Sequence, residues 1–496
     1  MSVELRAGSV LLFIGGLLAG LAVAFVAGPE ALPEVGDRGR RLSQRGGARS
    51  TDAESPFVAA AAAAPTPPPA VEGLLTFRGN ATRTYYGEGP VPEAPEVVWS
   101  YPDGAMCSKS TAGGETKKWC GTGWTGQPAV FERDSRTWLV VGAYDRNVHF
   151  LDADSGEPLL APFPTGDLIK GSVTVDPDGF PLVYSGSRDG EYRILAIDGT
   201  QAREVWALPA DAVSPTLWND DWDSSGLVMD DYLFIGGENS QLHIVKLNRG
   251  YDEDGLVTVA PELVFNAPGW DDELLAELGD YNVSIEGSLA RVGDTLYFAN
   301  SGGLVQGWDV SKLGRGRTPR RVFRFWTGDD TDATVVADDE GMLYVASQWQ
   351  RHTDRAREVG QIIKLDPSNP DDPLVWSVHD NVGKLAGVWA TPALHEDVLY
   401  VPTDGGEVLS IDRTTGEVRW RKQLQGPTWS SPVVVDDVLL QGDCLGNLFA
   451  YDVSDTLVEP PELWQVGLGG CIESTPAVWR GGIYVGTRAG FIVGMR

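Results

Sequence analysis

The chain is poor in the residues that build metal and redox centres, with four cysteines and five histidines in 496 residues. No C-x-x-C occurs, which removes the common cysteine-based zinc spacings and any C-x-x-C-H haem attachment. There is no local motif pairing a nucleophile with a base, and no glycine-rich phosphate loop. Positive charge is scarce too: 39 Lys and Arg stand against 70 Asp and Glu, a formal net charge of −31. A phosphate-binding surface needs the opposite balance, so nucleic acid is excluded as a partner. A solubilising surface is the plainest use of such acidity.

Long apolar runs are absent except at residues 10–27, VLLFIGGLLAGLAVAFVA, which are eighteen residues without a charge. That is about the minimum for a bilayer-spanning helix. The expectation is a transmembrane anchor over residues 1–28, with a signal segment cleaved near Ala22-Val23-Ala24 as the alternative. Arg38, Arg40, Arg41, Arg45 and Arg49 follow the span and only Arg6 precedes it, which by charge alone would leave the bulk of the chain in the cytoplasm. The cysteines and the large domain behind an N-terminal apolar segment point the other way, and export to the periplasm or cell surface is expected. Residues 29–74 are Arg-rich, then Ala/Pro-rich, and read as a linker holding the domain off a membrane.

The remainder repeats itself. Residues 391–420, TPALHEDVLYVPTDGGEVLSIDRTTGEVRW, hold three short apolar runs, a Gly/Asp turn after the second, an Asp-x-x-x-Gly-Glu turn after the third, and a fourth run with its Trp. Each copy reads as one four-stranded antiparallel blade. Small residues open the first strand at Gly126-Gln127-Pro128, Gly171-Ser172-Val173, Ser224-Ser225-Gly226, Gly287-Ser288-Leu289, Ala333-Thr334-Val335, Ala390-Thr391-Pro392, Ser430-Ser431-Pro432 and Ser474-Thr475-Pro476. These eight starts lie 40 to 63 residues apart, a spacing that suits propeller blades with insertions. The last copy ends after its third strand, while residues 95–101, PEVVWSY, form a fourth strand with no blade before it. The fold class expected is therefore all-β: an eight-bladed β-propeller over residues 75–496, with residues 95–101 completing the last blade and closing the ring. A seven-bladed ring beside an isolated strand is the alternative. Closure removes two open sheet edges.

Cys107 and Cys120 bracket a polar loop, whereas Cys444 and Cys471 fall in turns that a propeller places on one face of neighbouring blades. Bridges 107–120 and 444–471 fit that geometry and an oxidising compartment. Four cysteines allow three pairings, and spacing alone leaves the choice open.

The residue before each small pair is the candidate site. Thr125, Lys170, Asp223, Glu286, Asp332, Trp389, Trp429 and Glu473 are expected to ring the mouth of the central channel. Carboxylates so placed can bind Ca²⁺ or a polyol, and indoles can stack on a flat ring or a sugar. Inner strands also end in polar residues merely to face channel water. Trp218 and Trp222, in the loop Trp218-Asn219-Asp220-Asp221-Trp222-Asp223, extend the candidate ligand-binding set, and Trp270-Asp271-Asp272-Glu273, Trp349 and His352 lie in other long loops. No catalytic residue and no definite metal ligand is assigned.

The motif Tyr-Val-x-x-x-x-Gly-x-Val/Leu-x-x-Ile/Leu-Asp-x-x-Thr-Gly-x-x-x-Trp, clearest at 400–420, resembles the PQQ-like propellers of the quinoprotein-dehydrogenase-like superfamily, and Phe77-Arg78-Gly79-Asn80 resembles the lead-in of its non-enzymatic members. The resemblance covers roughly residues 75–496 and implies an eight-bladed ring. Dehydrogenases of that superfamily stack PQQ between a Trp and a disulfide of adjacent cysteines, beside Ca²⁺ and an Asp. No adjacent cysteines occur here, and no lipobox cysteine follows the apolar segment as it would in the protein-binding lipoprotein branch. The expectation is a membrane-tethered, extracytoplasmic scaffold that binds a protein or carbohydrate partner on its loop-rich face. The alternative is a PQQ- and Ca²⁺-dependent dehydrogenase of alcohols or sugars, using Trp389 or Trp429 with Asp332 or Glu473.

Overall fold

The computed structural model describes residues 70–112 and 115–496. They form an eight-bladed β-propeller of mostly four-stranded antiparallel sheets. Blade 1 pairs Ala129–Arg133, Arg136–Gly142, Asn147–Asp152 and Pro158–Pro164 in order. Blades 2 to 7 follow at residues 174–209, 227–268, 290–326, 336–378, 393–423 and 433–467. Blade 8 takes three strands from the C-terminus, Ala477–Trp479, Gly482–Thr487 and Phe491–Met495, and its outer strand from Val97–Tyr101. Val97 lies opposite Met495 and Tyr101 opposite Ile492, so the two ends of the ring share one sheet. The Trp99 indole seals this join by donating to the Ala153 carbonyl of blade 1 at 2.9 Å.

The burial pattern explains why the second strands read as unbroken β-branched and aromatic runs. Leu182–Gly186, Val398–Pro402 and Gly482–Thr487 are buried at every position, because blades stack on both of their faces. Outer strands such as Glu462–Gly467 alternate with solvent. The hydroxyl of the small pair has a circumferential role. The backbone N–H of Ser225 donates to Ser288 Oγ, Ser288 to Thr334 Oγ1, Thr334 to Thr391 Oγ1 and Thr391 to Ser431 Oγ, at 2.8 to 3.0 Å. Blades 4 to 7 thus each satisfy an inner-strand donor of the blade before them.

The lead-in threads the channel from the opposite end. Gly73–Leu74 adds a fifth strand to blade 1 and Gly87–Glu88 pairs in parallel with Ala477–Trp479 of blade 8, so these two blades exceed the four strands read from the repeat. Between them Arg78 is wholly buried. Its guanidinium donates to the carbonyls of Thr391, Pro392 and Pro432, each at 2.7 Å. Arg83 similarly donates to Leu289 and Phe77 carbonyls at 2.8 Å. Two buried arginines therefore tie blades 4, 6 and 7 to the plug.

One expectation is corrected. No helix among the described residues is long and apolar enough to cross a membrane; the two α-helices are Asp272–Leu278 and Asp354–Val359. The described residues form the propeller and contain no transmembrane or signal helix. The anchor read at residues 1–28, and with it the membrane as a partner, falls outside the described residues.

Candidate functional site at the channel mouth

In an antiparallel blade, the turn between second and third strands and the connection to the next blade lie at one end. This mouth face is opposite the lead-in plug. It collects the residues that precede each small pair.

Four of them form a charged arc. Lys170 of blade 2 contacts the Asp223 carboxylate, donates to Glu238 at 2.9 Å and lies 3.6 Å from Asp221. The approach of blade 3 requires Gly171, since a Cβ there would meet the Asp223 carbonyl at 2.1 Å. Arg188 adds a second cation on Asp221. Next comes Glu286, which accepts from Ser284 Oγ at 3.0 Å, and then Asp332, which accepts from Ser301 at 2.9 Å and from Gln348 at 2.8 Å. Burial raises the carboxyls of Asp223, Glu286 and Asp332 well above the usual range, and neighbouring carboxylates add to it. Asp330 and Asp221 are pushed up to about 7 by burial and then by Glu286 and Glu238 respectively. Burial works against the charged forms of Glu238 and Lys170 as well, but Lys170 holds Glu238 low, and Asp223 followed by Glu238 holds Lys170 high.

The other arc is aromatic. Trp124 of blade 1 stacks on Trp389 of blade 6, and Trp389 meets Trp429 of blade 7 edge-on at 5.9 Å. The Trp389 backbone N–H donates to Asp404, whose carboxyl burial raises well above its usual range. The indole nitrogens of Trp124 and Trp389 are buried without a hydrogen-bond partner. Glu473 closes the circle through Arg488, at 2.8 Å. Arg488 lies over Tyr144 and Trp119, and Arg188 approaches Trp119 from blade 2. Thr125 bridges to Ser474 through the backbone.

The structure thus gathers Lys170, Asp223, Glu286 and Asp332 on one side, and Trp389, Trp429 and Glu473 on the other. It separates the two loop tryptophans. Trp218 is 55% exposed, whereas Trp222 is buried against Tyr192 and His243, with its indole donating to the Gly190 carbonyl at 3.1 Å. Asp271 caps the helix Asp272–Leu278 and pairs with Arg321 and Arg324, which makes it a structural carboxylate. Trp349 and His352 stack on each other at 4.6 Å.

Sequence reasoning missed Glu238, Asp330, Asp404, Trp124 and Trp119. Glu238 and Asp404 sit in turns between second and third strands of blades 3 and 6, away from the aligned position at the start of the first strand. Trp119 stands beside Cys120, and its place in a disulfide hairpin was the available signal. Cys107 is bonded to Cys120, and Cys444 to Cys471, both pairs on the mouth face.

The family model described as outer membrane protein assembly factor BamB matches residues 359–496. The structure of BamB from Moraxella catarrhalis is similar with 14% identity and a TM-score of 0.53, over 81% of this chain and 100% of that one. The computationally designed Ika8 protein gives 13% and 0.52, over 75% and 96%. Quinohemoprotein alcohol dehydrogenase from Comamonas testosteroni gives 13% and 0.58, over 85% and 80%. No curated protein matches the sequence. At these identities the likeness shows a shared eight-bladed PQQ-like fold.

Proposed function

We propose that this ring is an extracytoplasmic scaffold that binds a protein or glycan partner on its mouth face. The observation that carries the reading is a set of exposed apolar side chains around the mouth: Trp218, Tyr281, Val382, Leu385 and Leu445. They come from four different loops, since Val382 and Leu385 share the connection between blades 5 and 6, yet the blade topology brings all five to one end. Exposed aromatic and aliphatic anchors beside charged groups are the makeup of a recognition surface. Two disulfides on that face stiffen its loops and fit an oxidising compartment. The BamB-like match supports a non-catalytic propeller.

The dehydrogenase alternative requires residues that fit PQQ and Ca²⁺, and they do not. The disulfides join cysteines 13 and 27 apart rather than adjacent ones. One face of Trp389 is already covered by Trp124. Asp221, Asp223 and Glu238 are neutralised by Lys170 and Arg188.

The test is capture of partners from the envelope by the full chain, compared with a Trp218→Ala/Leu445→Asp variant. Loss of the partners captured by the wild type is expected. Equal recovery by both proteins would remove the mouth face from the reading.

A further inference from the structure

Two clusters among the described residues place three metal-ligating side chains with donor atoms within 4.8 Å of one another. They differ in what already neutralises them. Asp221, Asp223 and Glu238 at the mouth hold Lys170 and Arg188, as described above. The second cluster, His395, Glu396 and Asp437, lies at the opposite end of the ring, in the first turns of blades 6 and 7. No Lys or Arg among the described residues forms an ion pair with Glu396 or Asp437. The neighbouring arginines are already committed, Arg413 to Asp338 and Arg419 to Asp397 and Asp412.

The three donor atoms lie within reach of a single ion. His395 Nε2 lies 3.1 Å from Asp437 Oδ1, yet that nitrogen is shielded from water and has no partner in hydrogen-bond geometry. Two ligands bonded to one metal at about 2.0–2.1 Å in a tetrahedron stand roughly 3.3 Å apart, slightly more than the 3.1 Å between His395 Nε2 and Asp437 Oδ1. A second polar atom beside the cluster is also orphaned. Tyr400 is fully buried, its hydroxyl has no hydrogen-bond partner, and it lies within electrostatic reach of Asp397, Glu396 and Asp437. A metal-bound water would supply that partner. The cluster borders a cleft of about 530 Å³, lined among others by Tyr85, Glu88, His395, Glu396, Val434 and Asp436. Room therefore exists on the open side for a water or an exogenous donor.

We infer that His395, Glu396 and Asp437 form a site for a divalent transition-metal ion of the Zn²⁺ class, with three protein ligands and a remaining position open to the cleft. One neutral imidazole and two carboxylates match the donor preference of Zn²⁺ and leave the bound ion's charge balanced.

The test is calorimetric titration of the metal-free full chain with Zn²⁺, with Co²⁺ absorption reporting the ligand set. Saturable 1:1 binding is expected, together with a visible Co²⁺ band. His395→Gln and Asp437→Asn should each weaken Zn²⁺ at least about tenfold, while Asp221→Asn at the mouth leaves it unchanged. Circular dichroism melts show that each variant is folded, and the isosteric Asp437→Asn carries the conclusion if His395→Gln is not. Absence of 1:1 binding, or equal affinity in the wild type and Asp437→Asn, overturns the assignment.

Discussion

Trp124 of blade 1 and Trp389 of blade 6 stack with ring centroids 5.7 Å apart and planes inclined by 14°. These blades are not neighbours in the ring, so the contact spans the channel mouth. It couples the first blade of the repeat array to the sixth and narrows the opening from the aromatic side.

Removing either indole should therefore cost more than a surface change. Trp124→Ala is expected to destabilise the ring by about 3 kcal/mol. The double change with Trp389→Ala should cost less than the two single effects added, by about 1 kcal/mol, because the rings share one contact. Urea midpoints of the four proteins measure this cycle. Strict additivity would mean that the stack contributes nothing of its own.

The plug at the other end has a different chemistry. Arg78 supplies donors to three carbonyls of blades 6 and 7. Arg78→Met leaves those buried acceptors unpaired and should cost about 3 kcal/mol or more, whereas Arg78→Lys, with a compact ammonium, should recover only part of it. Chemical denaturation of both variants distinguishes hydrogen bonding from filled volume.

Stability should depend on pH through the mouth. Asp330 and Asp221 titrate at about 7 in the folded ring, and ordinary aspartates titrate near 3.8. A carboxyl raised on folding binds its proton more tightly in the native state. Its contribution is full below the unfolded value and is lost as pH rises through about 7. Asp330→Asn imitates the protonated form. It should leave stability nearly unchanged at pH 4 and raise it relative to wild type at pH 8, by on the order of a few kcal/mol. Melting curves at the two pH values give the answer; equal differences at both would contradict the buried-acid reading.

The bond between Cys444 and Cys471 links blade 7 to the entry of blade 8, closing a sequence separation of 27. Paired Ser substitution should lower stability by about 3 kcal/mol. The loss should appear as a lower urea midpoint without loss of β-sheet signal, since the closing strand Val97–Tyr101 is intact in that variant.

Much of the architecture was legible because a blade is local. Short apolar runs, Asp-Gly turns and a recurrent small pair occur within about forty residues, and the eight-bladed sheet order follows from them. The lead-in plug was not legible to the same degree. Residues 71–74 read as linker by composition, yet Val71 donates to the Pro177 carbonyl and Gly73–Leu74 pairs with blade 1. Two-residue strands bear no periodicity. Trp218 and Trp222 looked alike in sequence, both in one Asp-rich loop; only packing against Tyr192 of blade 2 and His243 of blade 3 buried Trp222 and left Trp218 in solvent.

By itself the sequence determined the repeat unit, the number of units and the residue that precedes each small pair, because hydrogen-bonding ladders and side-chain alternation act over short distances. The tertiary structure alone decided which of those residues meet. Whether a mouth carboxylate is paired, as Asp223 is with Lys170, or left among other acids, as Asp330 is, depends on charges and burial contributed by blades far apart in the chain. Desolvation and Coulomb forces act through space, and only ring closure sets those distances.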